Sequence, residues 1–285
     1  MKSALLIDLG GTNVRSAFFF KNNLSKISKE KITDREFVPF LSKLLDEEEN
    51  KIDSLVIAAA GPNNQDSISL TNRNLLIDSG ELETKLNLKK CLLLNDWEAV
   101  AYALSELKKE SFLTIKKGAP TNQNTLLIGP GTGLGATLII NNKIIPTEFG
   151  NTLSPTKAML ENFGLENNNK FLTLENIISG PGIEKLYEEK FGKKISSEEI
   201  ITFALKGNKN ELFIIDNFLK TLISIINDLV LAFSCEKVIL GGAILNALQP
   251  ILMTKKTLQY FPTEINQKYL KLIEKTQIDL LTEDE

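Results

Sequence analysis

Two short stretches of this chain carry the residue types that hold an anion. Gly10, Gly11 and Thr12 follow the apolar run ALLID at 4–8, and Gly131, Thr132 and Gly133 follow the apolar run LLI at 126–128. Glycine lets a backbone approach an anion and turn its N–H groups toward it, and a threonine hydroxyl adds a donor. Either stretch alone also reads as the corner of a structural β-hairpin. Two of them in parallel contexts favour a nucleotide held between two domains. Neither is a P-loop, because no G-x4-G-K-[ST] occurs. Neither fits a dinucleotide fingerprint, because a strand rather than a helix follows each turn. Proton chemistry is bounded by composition, since the chain has no histidine. A histidine base, a Ser-His-Asp triad and an imidazole-ligated metal are excluded. Carboxylates, lysines, tyrosines and thiols remain. Cys91 and Cys235 each sit in an apolar context and read as buried, reduced core residues.

The elements that must position these groups alternate between strand and helix type, which argues for α/β layers. ALLID and VRSAFFF read as paired strands, with Asn22-Asn23 turning the chain into LSKISKEKI. A helix fits DREFVPFLSKLLDEEE despite Pro39. SLVIAAAG and CLLLN read as buried strands, and EAVAYALSEL as an amphipathic helix directly after Asp96. Residues 5–23 and 126–142 share one plan: apolar strand, glycine-threonine turn, second strand, Asn-Asn turn. The echo predicts two related domains, each offering a tight turn to a shared cleft. From 157 to about 233 the sequence is largely helical, including TLENIIS, GIEKLYEEKF, SEEIITFAL and a run from Glu211 to Phe233. KVILGGAI then returns to strand, turn and helix. The tail LLTEDE is acidic and reads as exposed.

At 285 residues and 42% hydrophobic the chain is long enough for two packed domains. A net charge of −3, with arginine only at Arg15, Arg35 and Arg73, argues against nucleic-acid binding. No stretch approaches the ~20 apolar residues of a membrane span, and MKSALLIDLGG, interrupted by Asp8, is no signal peptide. The chain reads as soluble and cytoplasmic.

Seven motifs then occur in one order: DLGGTN (8–13), AAAGP (58–62), LTN (70–72), LNDWEAVAYAL (94–104), GPGTGLGAT (129–137), ISGPGIEKLY (178–187) and VILGGAI (238–244). Together they resemble the bacterial glucokinases, within the hexokinase and actin-like ATPase superfamily, over about residues 3–255. The resemblance implies a two-domain, ribonuclease H-like α/β fold with a central cleft. It divides the chain into a small domain at 1–105 and a large domain at 106–285. The implied reaction is ATP plus glucose giving glucose 6-phosphate and ADP, with Mg²⁺.

Matched position by position, Asp8 resembles the acid that orients the Mg²⁺–phosphate group through water. Gly10, Gly11, Thr12 and Asn13 resemble the first phosphate loop, and Gly131, Thr132 and Gly133 the second. Gly241 and Gly242 resemble the turn under the adenosine. Asp96 matches the catalytic base. Its place between CLLLN and a helix puts the carboxylate at a strand's carboxyl end, where it accepts the sugar hydroxyl's proton as the O–P bond forms. Its other reading is a helix N-cap, which Asp favours. Asn95, Glu148, Asn151 and Glu175, with Asn72 as a further candidate, match the sugar-binding positions; the alternative for Glu148 and Glu175 is a solvated surface glutamate. A homodimer is implied because family members are often dimers.

The sequence departs from the pattern in two places. The family's Glu-Gly-Gly-His segment reads EFGN at 148–151, so Phe149 replaces a glycine and Asn151 the histidine. An Asn amide still donates and accepts hydrogen bonds, while Phe149 narrows the pocket or shifts the backbone. The chain also stops at QIDLLTEDE, without the family's closing turn and the helix that crosses back to the small domain. These departures motivate two alternatives, a kinase of fructose, mannose or an N-acetylhexosamine, and a non-catalytic sugar- or nucleotide-binding regulator. Two distant cysteines cannot make the four-ligand zinc motif of the related repressor and kinase group.

Overall fold

The computed structural model describes residues 3–11, 13–64, 66–71, 73–153, 156–166, 168–254, 259–260 and 267–282. The chain divides into two compact units, Met1–Tyr102 and Ala103–Glu285.

In the first unit, strands β1 (Ser3–Leu9) and β2 (Val14–Phe20) form an antiparallel hairpin in which Asp8 pairs with Arg15. Lys21 and Asn22 both have positive φ, 49° and 64°. These dihedrals suit a two-residue type I′ turn. The turn thus lies one residue earlier than the Asn22-Asn23 pair, and Asn23 opens β3 (Asn23–Leu24) opposite Phe20. Strand β4 (Ser28–Glu30) adds to β2. After a 3-10 turn closed by a Thr33–Glu36 capping box, α1 (Phe37–Glu47) buries Phe37, Phe40 and Leu41.

Strand β5 (Ser54–Ala59) lies parallel to β1. A small hairpin, β6 (Ser67–Ser69) with β7 (Leu76–Asp78), precedes α2 (Ser79–Lys85). Strand β8 (Lys90–Asn95) lies parallel to β5, and α3 (Asp96–Ala103) starts immediately after it. The main order is β3-β2-β1-β5-β8. Leu9, Ala59 and Asn95 therefore end neighbouring parallel strands at one edge, the carboxyl edge where open α/β sheets bind ligands.

The second unit repeats the plan. After β9 (Phe112–Lys116), β10 (Thr125–Pro130) and β11 (Leu134–Ile140) form an antiparallel hairpin, and Asn141-Asn142 turns it into β12 (Lys143–Thr147). Asn141 and Asn142 have φ of 50° and 61°. Strand β10 is buried at every position, as a central strand should be. The helical stretch holds α4 (Thr156–Glu161), α5 (Gly180–Phe191), α6 (Ser197–Leu205) and α7 (Lys209–Phe233). β13 (Lys237–Leu240) lies parallel to β10 and leads into α8 (Ala243–Ala247) and α9 (Gln249–Leu252). The helix Gln267–Lys275 precedes β14 (Gln277–Leu281), and the sheet runs β12-β11-β10-β13-β14-β9.

Two further expectations fail here. TLENIIS is not an α-helix: only Leu174–Asn176 turn, as 3-10, with Asn176 Oδ1 accepting from the backbone of Leu172 and Thr173. Such local side-chain bonds compete with helix propagation. Leu280 and Leu281 are not exposed tail residues but buried positions of β14, between β13 and β9. Two buried leucines decide against the acidic residues that follow them.

Each unit has its own apolar core. Leu5, Leu55, Ile57 and Phe37 lie in the first, and Leu126, Ile128, Phe218 and Leu280 in the second. Cys91 and Cys235 are buried free thiols whose burial pushes their pKa up to about 12 and about 11. They stay protonated and inert at neutral pH. Among the described residues no helix is long and apolar enough to cross a membrane.

Candidate active site

In the first unit the predicted residues gather at the carboxyl edge of β1, β5 and β8. The corner between β1 and β2 closes through Gly10 N–H donating to Asn13 O at 3.0 Å, and Gly11 is exposed. Thr12 and Asn72 lie outside the described residues. Asp8 Oδ2 accepts from Arg15 at 2.6 Å, across the register pair, and both side chains are nearly half exposed.

Asp96 is the first residue of α3. Its Oδ1 accepts from the backbone N–H of Trp97 at 2.9 Å. The cap belongs to Asn95, whose Oδ1 also accepts from Trp97 N–H at 2.9 Å, while Asn95 N–H donates to Glu98 Oε2 at 3.2 Å. Glu98 thus reaches back to the cap as the third helical residue does in a capping box, while the Asn95 side chain caps the second N–H. Burial raises the Asp96 pKa, and the charge of Asp8 raises it further against the lowering effect of the Trp97 N–H. Strands β1 and β8 lie two places apart, about 10 Å by ordinary strand spacing, and both carboxylates belong to that sheet edge. A desolvated carboxylate with a raised pKa is a better proton acceptor than a solvated one.

Asn95 is buried. Its Nδ2 donates to Gly61 O at 3.3 Å, which ties the end of β8 to the turn after β5 and uses one of two amide hydrogens.

In the second unit the corner between β10 and β11 is built by backbone. Gly131 N–H donates to Gly133 O at 2.8 Å, and Gly180 N–H donates to Gly131 O at 2.9 Å. The second bond joins the corner to the start of α5, whose N-cap Ser179 accepts from Gly182 N–H and donates to Glu175 O at 2.6 Å. Glu175 is partly buried, and a Cβ on Gly133 would lie 2.7 Å from its Oε2. Gly241 N–H donates to Ile128 O, and Gly242, at φ +93°, packs over Pro130, where a Cβ would meet Pro130 O at 2.9 Å. Gly241 and Gly242 are thus packed against the strand that leads into the second corner. Thr132 is exposed at its tip.

The EFGN segment forms a 3-10 turn at Phe149–Asn151. Asn151 donates from its backbone to Glu148 O and from Nδ2 to Glu148 Oε2 at 3.3 Å. Gly150 lies against Leu134 O with no room for a Cβ. Leu153 bridges to Thr173, so this turn and the Glu175 turn are neighbours. Phe149 packs on the unit's core and lines an apolar cavity of about 310 Å³ with Leu126, Leu138, Leu229 and Phe233.

The glucokinase family model matches residues 5–281. The chain belongs to the glucokinase family. It is an ATP-dependent sugar kinase with the actin-like ATPase fold, and the family's reaction is the phosphorylation of glucose. A glucokinase of Colwellia psychrerythraea is 31% identical, covering 71% of this chain and 68% of that protein. A glucokinase-like protein of Xylella fastidiosa strain Temecula1 is 29% identical, covering 91% and 85%. The crystal structure of a glucokinase from an Antarctic psychrotroph shares the fold with a TM-score of 0.79, at 24% identity, over all of this chain and 95% of that one.

Three features of this glucokinase-family chain escaped the sequence reading. Glu98 had a signal, the Asn-x-x-Glu capping spacing at 95–98. The propping of Gly131 by Gly180 had only the ISGPG motif as a clue. Arg73 had none. Its Nε donates to Gly10 O at 3.1 Å and Gly11 O at 3.2 Å, and its Nη1 to Ile32 O at 3.1 Å and Asp34 Oδ1 at 3.4 Å.

Proposed function

We propose that Asp96 is the general base with which this chain transfers the γ-phosphoryl group of ATP to the 6-hydroxyl of glucose. The observation that carries the reading is the desolvated Asp96 carboxylate at the end of β8, its pKa raised, at the same sheet edge as Asp8 and the first glycine corner. The carboxylate takes the hydroxyl proton as the new O–P bond forms, because the free hydroxyl is far too weak an acid to ionise first. Both glycine corners offer backbone N–H groups to the nucleotide's phosphates, where they need no reorganisation as charge shifts onto the leaving group. Gly241 and Gly242 serve the adenosine.

Glu148, Asn151 and Glu175 take the sugar hydroxyls, joined by Asn95 through its second amide hydrogen. Several fixed polar groups reject a sugar that lacks a hydroxyl, since a partner would then be left unpaired. Phe149, packed on the core, supports Glu148 and Asn151 from behind.

Mg²⁺ enters as part of the substrate, MgATP. Asp8 orients it through water, which suits a hard ion that keeps much of its hydration and rides on substrate phosphates. The reading places the protein in the cytoplasm, acting on small molecules and without nucleic acid, and as a homodimer.

The test is a coupled ADP-release assay over a panel of hexoses, with the product identified by ³¹P NMR. Glucose-dependent ADP release with glucose 6-phosphate as product is expected. Turnover of fructose, mannose or an N-acetylhexosamine with none of glucose overturns the substrate. Glucose binding without any ATP turnover overturns the catalytic reading.

A further inference from the structure

We propose that Arg73 is a positioning residue for the first phosphate corner, holding the carbonyls of Gly10 and Gly11 inward so that the corner presents its N–H groups to the nucleotide. The inference rests on the phosphate role assigned above to Gly10 and Gly11. Arg73 comes from the chain after the small β6–β7 hairpin begins, far in sequence from the corner. Its side chain is only 5% exposed. Four acceptors take its Nε and Nη1 donors: two corner carbonyls, the carbonyl of Ile32 and the Asp34 carboxylate that opens the turn before α1. Its Nη2 is buried without a partner among the described residues.

A planar trans peptide sends its C=O and its N–H in opposite directions. Anchoring Gly10 O on the guanidinium therefore turns the N–H of Gly11 away from Arg73, and Gly11 is exposed. A corner of glycines has no side chains to restrain its peptide planes, so without an external tether each plane can flip. The guanidinium supplies that tether with a rigid planar fork that lysine lacks. It also places a buried positive charge directly behind a corner meant for a polyanion, where water screens it little. The bonds to Ile32 O and Asp34 keep the guanidinium in place while both corner carbonyls are held.

A merely structural arginine would lower folding stability and disturb every substrate alike. A positioning arginine gives a split. We expect Arg73→Lys to raise the KM for MgATP at least tenfold while the glucose KM stays within about twofold. Arg73→Ala should do the same more strongly, and added methylguanidinium should restore much of the nucleotide affinity. The Kd for ADP, read by titration calorimetry, should follow the MgATP KM. The inference is overturned if Arg73→Lys leaves ADP affinity within twofold of the parent, or raises both KM values equally. It is also overturned if methylguanidinium restores thermal stability without restoring affinity. Should Arg73→Ala fail to fold, Arg73→Lys decides alone; should neither fold, the residue is a folding determinant and the proposal fails. If the unmutated chain binds ADP yet turns over no ATP, the catalytic reading fails, and the ADP titrations still judge Arg73.

Discussion

The corner between β1 and β2 and the corner between β10 and β11 begin from one plan and are held by different chemistry. Each joins an antiparallel hairpin whose first strand pairs in parallel with a later strand, β5 in one unit and β13 in the other. The first is gripped by a side chain, the Arg73 guanidinium on two carbonyls. The second is gripped by main chain and close packing: Gly180 N–H on Gly131 O, Gly242 over Pro130, Glu175 beside Gly133. Hydrogen bonds from a charged donor contribute about 1.5–3 kcal/mol each, so one arginine can do the work of several backbone bonds. The cost of the packed solution is intolerance at two positions, since a Cβ on Gly133 or Gly242 would lie within 3 Å of its neighbour, while one on Gly131 would meet nothing. The Asp96 carboxylate, with its raised pKa, stands in the first unit, and the crowded Gly133 and Gly242 at the corner of the second.

That contrast can be broken most forcefully at Asp96. Asp96→Ala should cut kcat by about 10²- to 10⁴-fold, the usual contribution of a general base, with ADP affinity little changed. Residual kcat within threefold of the parent would mean that the first unit holds no base. The scaffold side is tested by Gly242→Ala. At φ +93° and against Pro130 O, a methyl group should cost about 1–3 kcal/mol of stability, read as a lowered urea midpoint. An unchanged midpoint would show the second corner to be as adaptable as the first.

Smaller effects sharpen the contrast. Gly133→Ala places its Cβ against Glu175 Oε2, and the displaced carboxylate should raise the glucose KM about tenfold, the equivalent of one charge-assisted hydrogen bond. A rise confined to the MgATP KM would remove Glu175 from the sugar site. The smallest shift concerns pH. Asp96 acts ionised, and burial with the Asp8 charge lifts its pKa, so kcat/KM should fall on the acid side at a pH above the ordinary carboxylate value of about 3.9. Asp8→Asn removes one repulsion, so this limb should move to lower pH. Movement to higher pH would contradict the coupling.

Much of this site could be read in the residues because its signals are local. The glycine corners, Asp96 at a strand's end, and the Asn141-Asn142 turn each occupy a few consecutive positions whose dihedral demands select the residue type. The turn after β2 was misplaced by one residue because Lys21 adopts positive φ, where asparagine is the usual choice. The 3-10 turn at Glu175 was missed because Asn176 bonds back to the preceding backbone, a local competitor of the helix that hydrophobic spacing does not show. Leu280 and Leu281 were misread because an acidic end looks solvated until a sheet position claims the leucines.

The order of motifs by itself determined the family, and the absence of histidine excluded an imidazole base, since short-range geometry and side-chain inventory are written residue by residue. Tertiary structure alone decided that Arg73 reaches Gly10 and Gly11, that Gly180 props Gly131, and that burial beside Asp8 raises the Asp96 pKa. The physical reason is range. A hydrogen bond or a desolvation depends on which distant segments share a neighbourhood, and no window along the chain contains both partners.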